Sequence, residues 1–289
     1  MERNILLTIE YDGTNFSGWQ RQPGIRTVQG TLENILSKVC GEQILLEGTS
    51  RTDAGVHALG QRASFKCGQG IPVEKIPFAV NNIAGDTMRD GDVKIVCAEE
   101  VAENFHARFD SKGKKYIYRI RNSVEMPVFL RNYRYRIWRE LNVNLMRKAA
   151  SYIAGTHDFA CFQAAGGTVR QSTVRTVHNL KITENFSDST EKSYLRGGAD
   201  FDARDIDIEI TGDGFLYNMV RIIAGTLVEV GLGKIDPDEV KNIIESGNRS
   251  LAGHTAPPQG LFLVEIYYLN KEHTGMNPLL KGFNLKVFL

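Results

Sequence analysis

Short runs in which apolar and polar residues alternate recur along this chain, and they are not threaded into a long strand–helix–strand alternation. That ordering restricts the fold more than any other feature, because it disfavours a doubly wound parallel sheet. NILLTIEYDG (4–13) sets Ile5, Leu7 and Ile9 on one face and stops at an Asp-Gly turn. QRASFKC (61–67) and DVKIVCAEEV (92–101) are further strand candidates. KKYIYRIRN (114–122) and RYRIWRE (134–140) alternate with period two, as an antiparallel pair would. VRTVHNLKIT (174–183) and ARDIDIEITG (203–212) repeat the pattern, separated by ENFSDSTEKSYLRGG (184–198), a polar, breaker-rich stretch that reads as a surface loop. GLFLVEIYYL (260–269) closes the series as a buried strand.

Helical spacing appears between these runs. In TVQGTLENILSKVCGE, Val28, Leu32, Ile35, Leu36 and Val39 share a face and Gly41 ends the helix. PVEKIPFAVNNIAG begins a short helix, and NVNLMRKAASYIAGTHDF is amphipathic and closed by Gly155. FLYNMVRIIAGTLVEVG is strongly apolar, and DPDEVKNIIESG is a short capped helix. The order predicts an α+β chain: two ferredoxin-like (RRM-like) halves sharing a mixed, mostly antiparallel sheet flanked by helices. The halves are expected at residues 1–105 and 106–269. A tail, 270–289, follows the last strand without an assigned role, its apolar end suited to packing on the body or on a partner subunit.

With 289 residues, 42% hydrophobic and 24% charged, the chain has the composition of a soluble globular protein. No signal peptide and no membrane-length apolar run is evident. Cys40, Cys67, Cys97 and Cys161 lie far apart without a CxxC pair, which suits reduced, buried thiols in the cytosol. The net charge of +1 is unevenly spread. Between Phe105 and Arg139, ten Lys and Arg face only Asp110 and Glu125, so that segment carries +8 and the remainder −7. Tyr116, Tyr118, Tyr133, Tyr135 and Trp138 are interleaved with those cations. Such a stretch suits a nucleic acid, through counterion release and stacking. It equally suits a strand pair whose cations meet acids from elsewhere, and charge alone does not choose.

Motifs for nucleotide phosphates (GxxxxGK[ST], GxGxxG), for zinc (HExxH) and for a nucleophile elbow (GxSxG) are absent, so neither a nucleotide cofactor nor a metal is expected. The six histidines are dispersed. LLTIEYDGTN is similar to the opening of haloacid-dehalogenase phosphatases, but Glu10 stands where their nucleophilic Asp belongs; a strand ending in an Asp-Gly turn is the better reading. Arg221 lies among Phe215, Met219, Val220, Ile222, Ile223 and Leu227, where a guanidinium needs a carboxylate. Asp213 and Glu229 are the local candidates; an acid from the other half of the chain is the alternative. Asp53, in GTSRTDAGVHALGQ (48–61), is one such acid: it sits in a small-residue turn and, kept ionised by an arginine, could act as a nucleophile. From physics alone it could as well be an ordinary turn residue.

The stretch GTSRTDAGVHALGQ resembles the signature of the TruA family of tRNA pseudouridine synthases, in which this Asp is catalytic. The likeness runs through YDGTNFSGWQRQP, TVQGTLE, FHARFDSKGKKYIYRI, GTHDFACF, STVRTV, GDGFLYNMVRIIAGTLVEVG and TAPPQGLFL, and stops before the tail. It implies the pseudouridine synthase fold and isomerisation of uridines at positions 38, 39 and 40 of the tRNA anticodon stem-loop. Asp53 would be the nucleophile, attacking C6 of the uracil or C1′ of the ribose. Arg221 would keep Asp53 ionised, and Tyr116 would stack on the flipped base and assist proton transfer at C5. Leu261 would cover the other face of the base, and Arg51 would engage the RNA backbone. The resemblance further implies a cytoplasmic homodimer that needs no cofactor. AAGGTVRQ (164–171) departs from the family pattern, which bears on RNA contacts there but not on Asp53, Tyr116 or Arg221.

Overall fold

In the computed structural model, which describes residues 2–68, 70–87, 91–166, 171–186, 201 and 203–269, the first alternating run forms strand β1 (Arg3–Tyr11). Leu6, on the face opposite Ile5 and Leu7, is as fully buried as they are. β1 is therefore covered on both faces, which its alternation alone did not indicate. The chain divides into two compact units, one running to Lys114 and resuming at Phe262, the other spanning Lys115–Leu261. The tail 270–289 and residues 187–198 of the expected surface loop lie outside the described residues.

In the first unit β1 pairs antiparallel with β3 (His57–Cys67) on one side and β4 (Val93–Val101) on the other. A two-residue strand, β2 (Glu47–Gly48), adds to β3. The final strand β10 (Leu261–Tyr268) runs parallel to β3, with Phe262 opposite His57 and Leu263 opposite Ala58. Helix α1 (Val28–Cys40) is capped by the Thr27 side chain, which accepts from Gly30 N–H, and ends at Gly41 in the left-handed conformation. It buries Val28, Leu32, Ile35 and Leu36 beside α2 (Ile76–Thr87), which packs on β4.

The second unit orders its strands β5-β9-β8-β7, from β5 (Ser111–Asn122), β7 (Gly155–Asp158), β8 (Val174–Phe186) and β9 (Arg204–Gly212). β8 is antiparallel to both β7 and β9. The short β6 (Tyr135–Ile137) also pairs with β5, but in parallel, which corrects the expected antiparallel pair. The twelve residues between them are no tight hairpin loop; they include a 3₁₀ turn at Val128–Leu130, and a chain of this length can return to the start of its neighbour. Helix α3 (Val143–Ile153) stops at an extended Ala154, so Gly155 opens β7 instead of capping the helix. Helix α5 (Glu239–Ser246) also departs from expectation at its start: Asp238 makes no side-chain cap. Its carboxylate accepts instead from Lys148 Nζ and Tyr152 Oη of α3, each at 2.7 Å. The described residues thus form ten strands and five α-helices, an α+β chain with mixed sheet pairing, as the sequence order predicts.

Helix α4 (Met219–Gly231) is the most deeply buried helix of the second unit and carries a glycine in its middle. Ordinarily that costs about 1 kcal/mol relative to alanine. Here a Cβ on Gly225 would lie 1.8 Å from His254 O, because the segment 252–257 runs directly across the helix. Thr226 Oγ1 takes the Gly253 N–H at 2.9 Å, and Arg221 O takes the Ala256 N–H at 3.1 Å. Gly225→Ala should therefore destabilise the protein by about 2 kcal/mol or more instead of stabilising it. Urea unfolding reads this directly, and an unchanged or raised midpoint would contradict the close approach.

Candidate active site

The loop from Thr49 to Val56, between β2 and β3, carries Arg51 and Asp53. Its start is fixed from several directions: Gln61 Nε2 donates to Ser50 O at 2.6 Å, and Lys114 Nζ to Thr49 O and Ser50 Oγ at 3.2 and 3.3 Å. Thr49 Oγ1 lies 3.0 Å from Tyr268 Oη, whose phenol is pushed up to about 12, chiefly by burial. Arg51 is exposed, Thr52 and Val56 are buried, and Asp53 between them is half-buried. A tight turn follows, in which Val56 N–H returns to Asp53 O at 3.1 Å. The DGT stretch, meanwhile, is a structural turn: Asp12 Oδ1 accepts from Thr14 N and Oγ1 at 2.9 and 2.6 Å, capping a 3₁₀ turn over Gly13–Asn15.

The second unit carries Tyr116, Arg221 and Leu261 around the segment 254–261. Tyr116, on β5, is buried edge-on to Phe215, with ring centroids 5.3 Å apart. Tyr118, on the same strand, donates to Pro257 O at 2.7 Å; burial raises its phenol well above the usual range, and Arg221 pulls the other way. Arg221 sits in the first turn of α4. Its Nε donates to Ala256 O at 2.8 Å and its Nη1 to Asn218 Oδ1 at 2.7 Å, which fixes the guanidinium plane. Asn218 precedes the helix with φ 59°, a conformation Asn tolerates better than most residues. Both local acids have other partners: Glu229 accepts from His254 at 2.8 Å, and Asp213 from Thr176 N at 3.1 Å. Leu261 is buried at the head of β10, directly after the 3₁₀ turn Pro258–Gly260. Sequence reasoning named Tyr118 only among the interleaved aromatics and did not single out Asn218 or His254. Tyr118 and His254 depend on partners distant in sequence; Asn218 bonds Arg221 three residues on, and its one local signal was Asn immediately before a helix.

The basic segment divides in two. Four of its ten cations are matched by acids of β9: Lys115 by Glu209 at 2.9 Å, Arg121 by Asp205 at 3.2 Å, and Arg134 by Asp205 and Asp207, each at 3.4 Å. Arg119, the fourth, is only 2% exposed; burial lowers its guanidinium to about 10, which nearby Asp207 and Asp205 oppose. For these four, the acids-from-elsewhere reading holds. Lys114, bonded to Thr49 O and Ser50 Oγ, is structural as well, whereas Arg108, Lys112, Arg131, Arg136 and Arg139 remain exposed. All four cysteines are free thiols; three are buried as expected, and Cys97 is half-buried. Burial pushes Cys40 up to about 12 and Cys161 up to about 11, so neither is a ready nucleophile. Among the described residues no cluster of three or more His, Cys, Asp or Glu is placed to hold a metal ion, and no helix is long and apolar enough to cross a membrane.

Comparison with known proteins adds a family. The family described as tRNA pseudouridine synthase matches residues 7–110 and 149–269, which contain Arg51, Asp53, Arg221 and Leu261; Tyr116 falls between the two matched stretches. A protein of Thermoanaerobacter sp. (strain X514) called tRNA pseudouridine synthase A is 49% identical over 92% of this chain and all of its own length. Proteins of the same name from Ruminiclostridium cellulolyticum and Acetivibrio thermocellus are 48% and 45% identical over the same shares.

The cation network yields a stability prediction. Removing one acid strands buried positive charge, so Asp207→Asn should cost about 3 kcal/mol in urea unfolding. Arg139→Gln, at an exposed cation, should stay within about 0.5 kcal/mol. Equal effects of the two would contradict the division between structural and exposed cations.

Proposed function

The chain belongs to the tRNA pseudouridine synthase family, and from that premise we propose that it isomerises uridines 38, 39 and 40 in the anticodon stem-loop of tRNAs to pseudouridine. In this reaction the N1–C1′ bond breaks and a C5–C1′ bond forms, N1 gains a proton and C5 loses one. There is no net redox change. Asp53 forms the transient bond to the nucleotide, at C6 or at C1′, and is released as the product forms. Arg221 holds that carboxylate ionised, since an uncompensated carboxylate in a closed site would take up a proton. Tyr116 stacks on the everted uracil and assists proton transfer at C5, Leu261 covers the other face, and Arg51 grips the RNA backbone. Everting a base from a stem costs a few kcal/mol, which phosphate contacts and stacking offset. The enzyme works in the cytosol, a compartment that suits four free thiols.

The observation that carries this reading is the mount of Asp53. It is a half-buried carboxylate on a short loop, between buried Thr52 and exposed Ala54, inside the family's matched residues. The fixed guanidinium of Arg221, held by Ala256 and Asn218, supports its share of the roles.

We also propose a homodimer. In the second unit Val124, Val128, Phe129 and Trp138 are 44%, 65%, 88% and 62% exposed within one short stretch, together with Arg131, Arg136 and Arg139. Aromatic residues and Arg, without Lys, match the composition of protein interfaces. The protein should sediment at twice its 32.3 kDa mass, and Phe129→Glu with Trp138→Glu should convert it to a monomer. A monomeric unmodified protein, or a double variant that still sediments as a dimer, would contradict this.

The catalytic assignment is tested with tRNA carrying C5-tritiated uridine and no added metal. The protein should release tritium to water. Asp53→Asn should reduce the rate by at least about 10³-fold while tRNA binding stays within about threefold, because the phosphate contacts remain. Near-normal release by that variant would remove Asp53 from the nucleophile's role.

A further inference from the structure

The residue before the nucleophile is anchored at two points by the N-terminal segment 11–19. Thr52 Oγ1 is 2.7 Å from Tyr11 Oη, both groups buried, and Thr52 O accepts from Trp19 N–H at 3.0 Å. The approach is tight: Gly18 has φ +86°, and a Cβ there would lie 2.6 Å from Thr52 O. Two further bonds tie the same segments together. Gly55 N–H donates to Phe16 O at 3.4 Å, and Gly13 N–H to His57 Nδ1 at 3.0 Å. Asp12 Oδ1 lies 3.1 Å from the same nitrogen and also accepts twice from Thr14. The His57 ring is held flat on Phe262, with centroids 4.6 Å apart. From Thr52 to His57 the loop is stitched, bond by bond, to a segment that carries none of the proposed catalytic groups.

We infer that the buried Tyr11–Thr52 hydroxyl pair is a positioning device for the reaction: it sets where the Asp53 carboxylate stands, and with it the rate of the chemical step. This rests on Asp53 being the nucleophile. Thr52 and Asp53 share a peptide plane, so a shift at Thr52 carries directly into the carboxylate. Displacements of about 1 Å from reacting geometry cost rates of about 10²-fold. The hydroxyls are the right target because each can be removed with little change of shape, leaving the backbone bonds of the loop intact.

The test separates positioning from scaffolding. Thr52→Val and Tyr11→Phe should lower kcat for tritium release about 10- to 100-fold, with tRNA Kd within about twofold. Thr52→Ser, which keeps the hydroxyl, should stay within about threefold of the unmodified enzyme. The double variant should be no slower than the worse single one, because both remove the same interaction. Unchanged kcat in Thr52→Val and Tyr11→Phe would overturn the inference. So would a parallel loss of kcat, tRNA binding and thermal stability that Thr52→Ser fails to rescue, which would mark the pair as scaffold only. Asp53→Asn, assayed alongside, keeps the two claims apart. If it remains active the nucleophile reading itself fails, whereas an inactive Asp53→Asn with a fully active Thr52→Val removes the positioning claim alone.

Discussion

The peptide that joins Thr52 to Asp53 is bonded to the N-terminal segment through its carbonyl, and the preceding side chain is bonded to a buried tyrosine. Much of the first unit converges on that arrangement. β1 delivers Tyr11 to the end of its ladder, where its register partner is Ala58 at the start of β3. The 3₁₀ turn capped by Asp12 swings the chain so that Phe16 and Trp19 present a carbonyl and an N–H to the loop. Trp19, 1% exposed, fixes that end in the core. A carboxylate asked to attack carbon gains from such a mount, since the entropy of placing it is lost on folding and not during the reaction.

The second unit applies a similar economy with different parts. Helix α4 is apolar around most of its surface, yet Arg221, Gly225 and Thr226 face a crossing chain and bind it through side chain, close contact and hydroxyl. That crossing segment in turn carries Pro257 to the Tyr118 hydroxyl, His254 to Glu229 and Tyr135, and the chain on to Leu261. Arg221 is therefore a structural residue of its own unit as well as the proposed guardian of the nucleophile's charge. Its substitution should be read with both functions in mind.

Much of this was legible from the residues. The alternating runs became strands and the 3.6-period runs became helices, because burial on one face is a local property of the pattern. What failed depended on partners remote in sequence. The parallel pairing of β6 is set by the length and turn of the connection, and β2 and β7 are too short to show a period. Charge alone left the +8 segment open between nucleic acid and internal pairing, because Asp205, Asp207 and Glu209, which occupy four of its cations, lie about seventy residues or more downstream. Asp53 and Arg221 were named from motif and from the cost of burying charge, but nothing in the sequence pointed to Tyr11 or Thr52. A hydroxyl pair has no period and no charge.

The chain belongs to a family of tRNA pseudouridine synthases, and the proposed roles of Asp53, Tyr116 and Arg221 all concern a uridine of tRNA. The most direct measurement is pseudouridine mapping, at nucleotide resolution, of tRNA from cells lacking this protein and from the same cells supplied with it again. Pseudouridine should vanish at positions 38, 39 and 40, remain elsewhere, and return on resupply. Persistence at those positions, or a loss confined to other sites, would contradict the account.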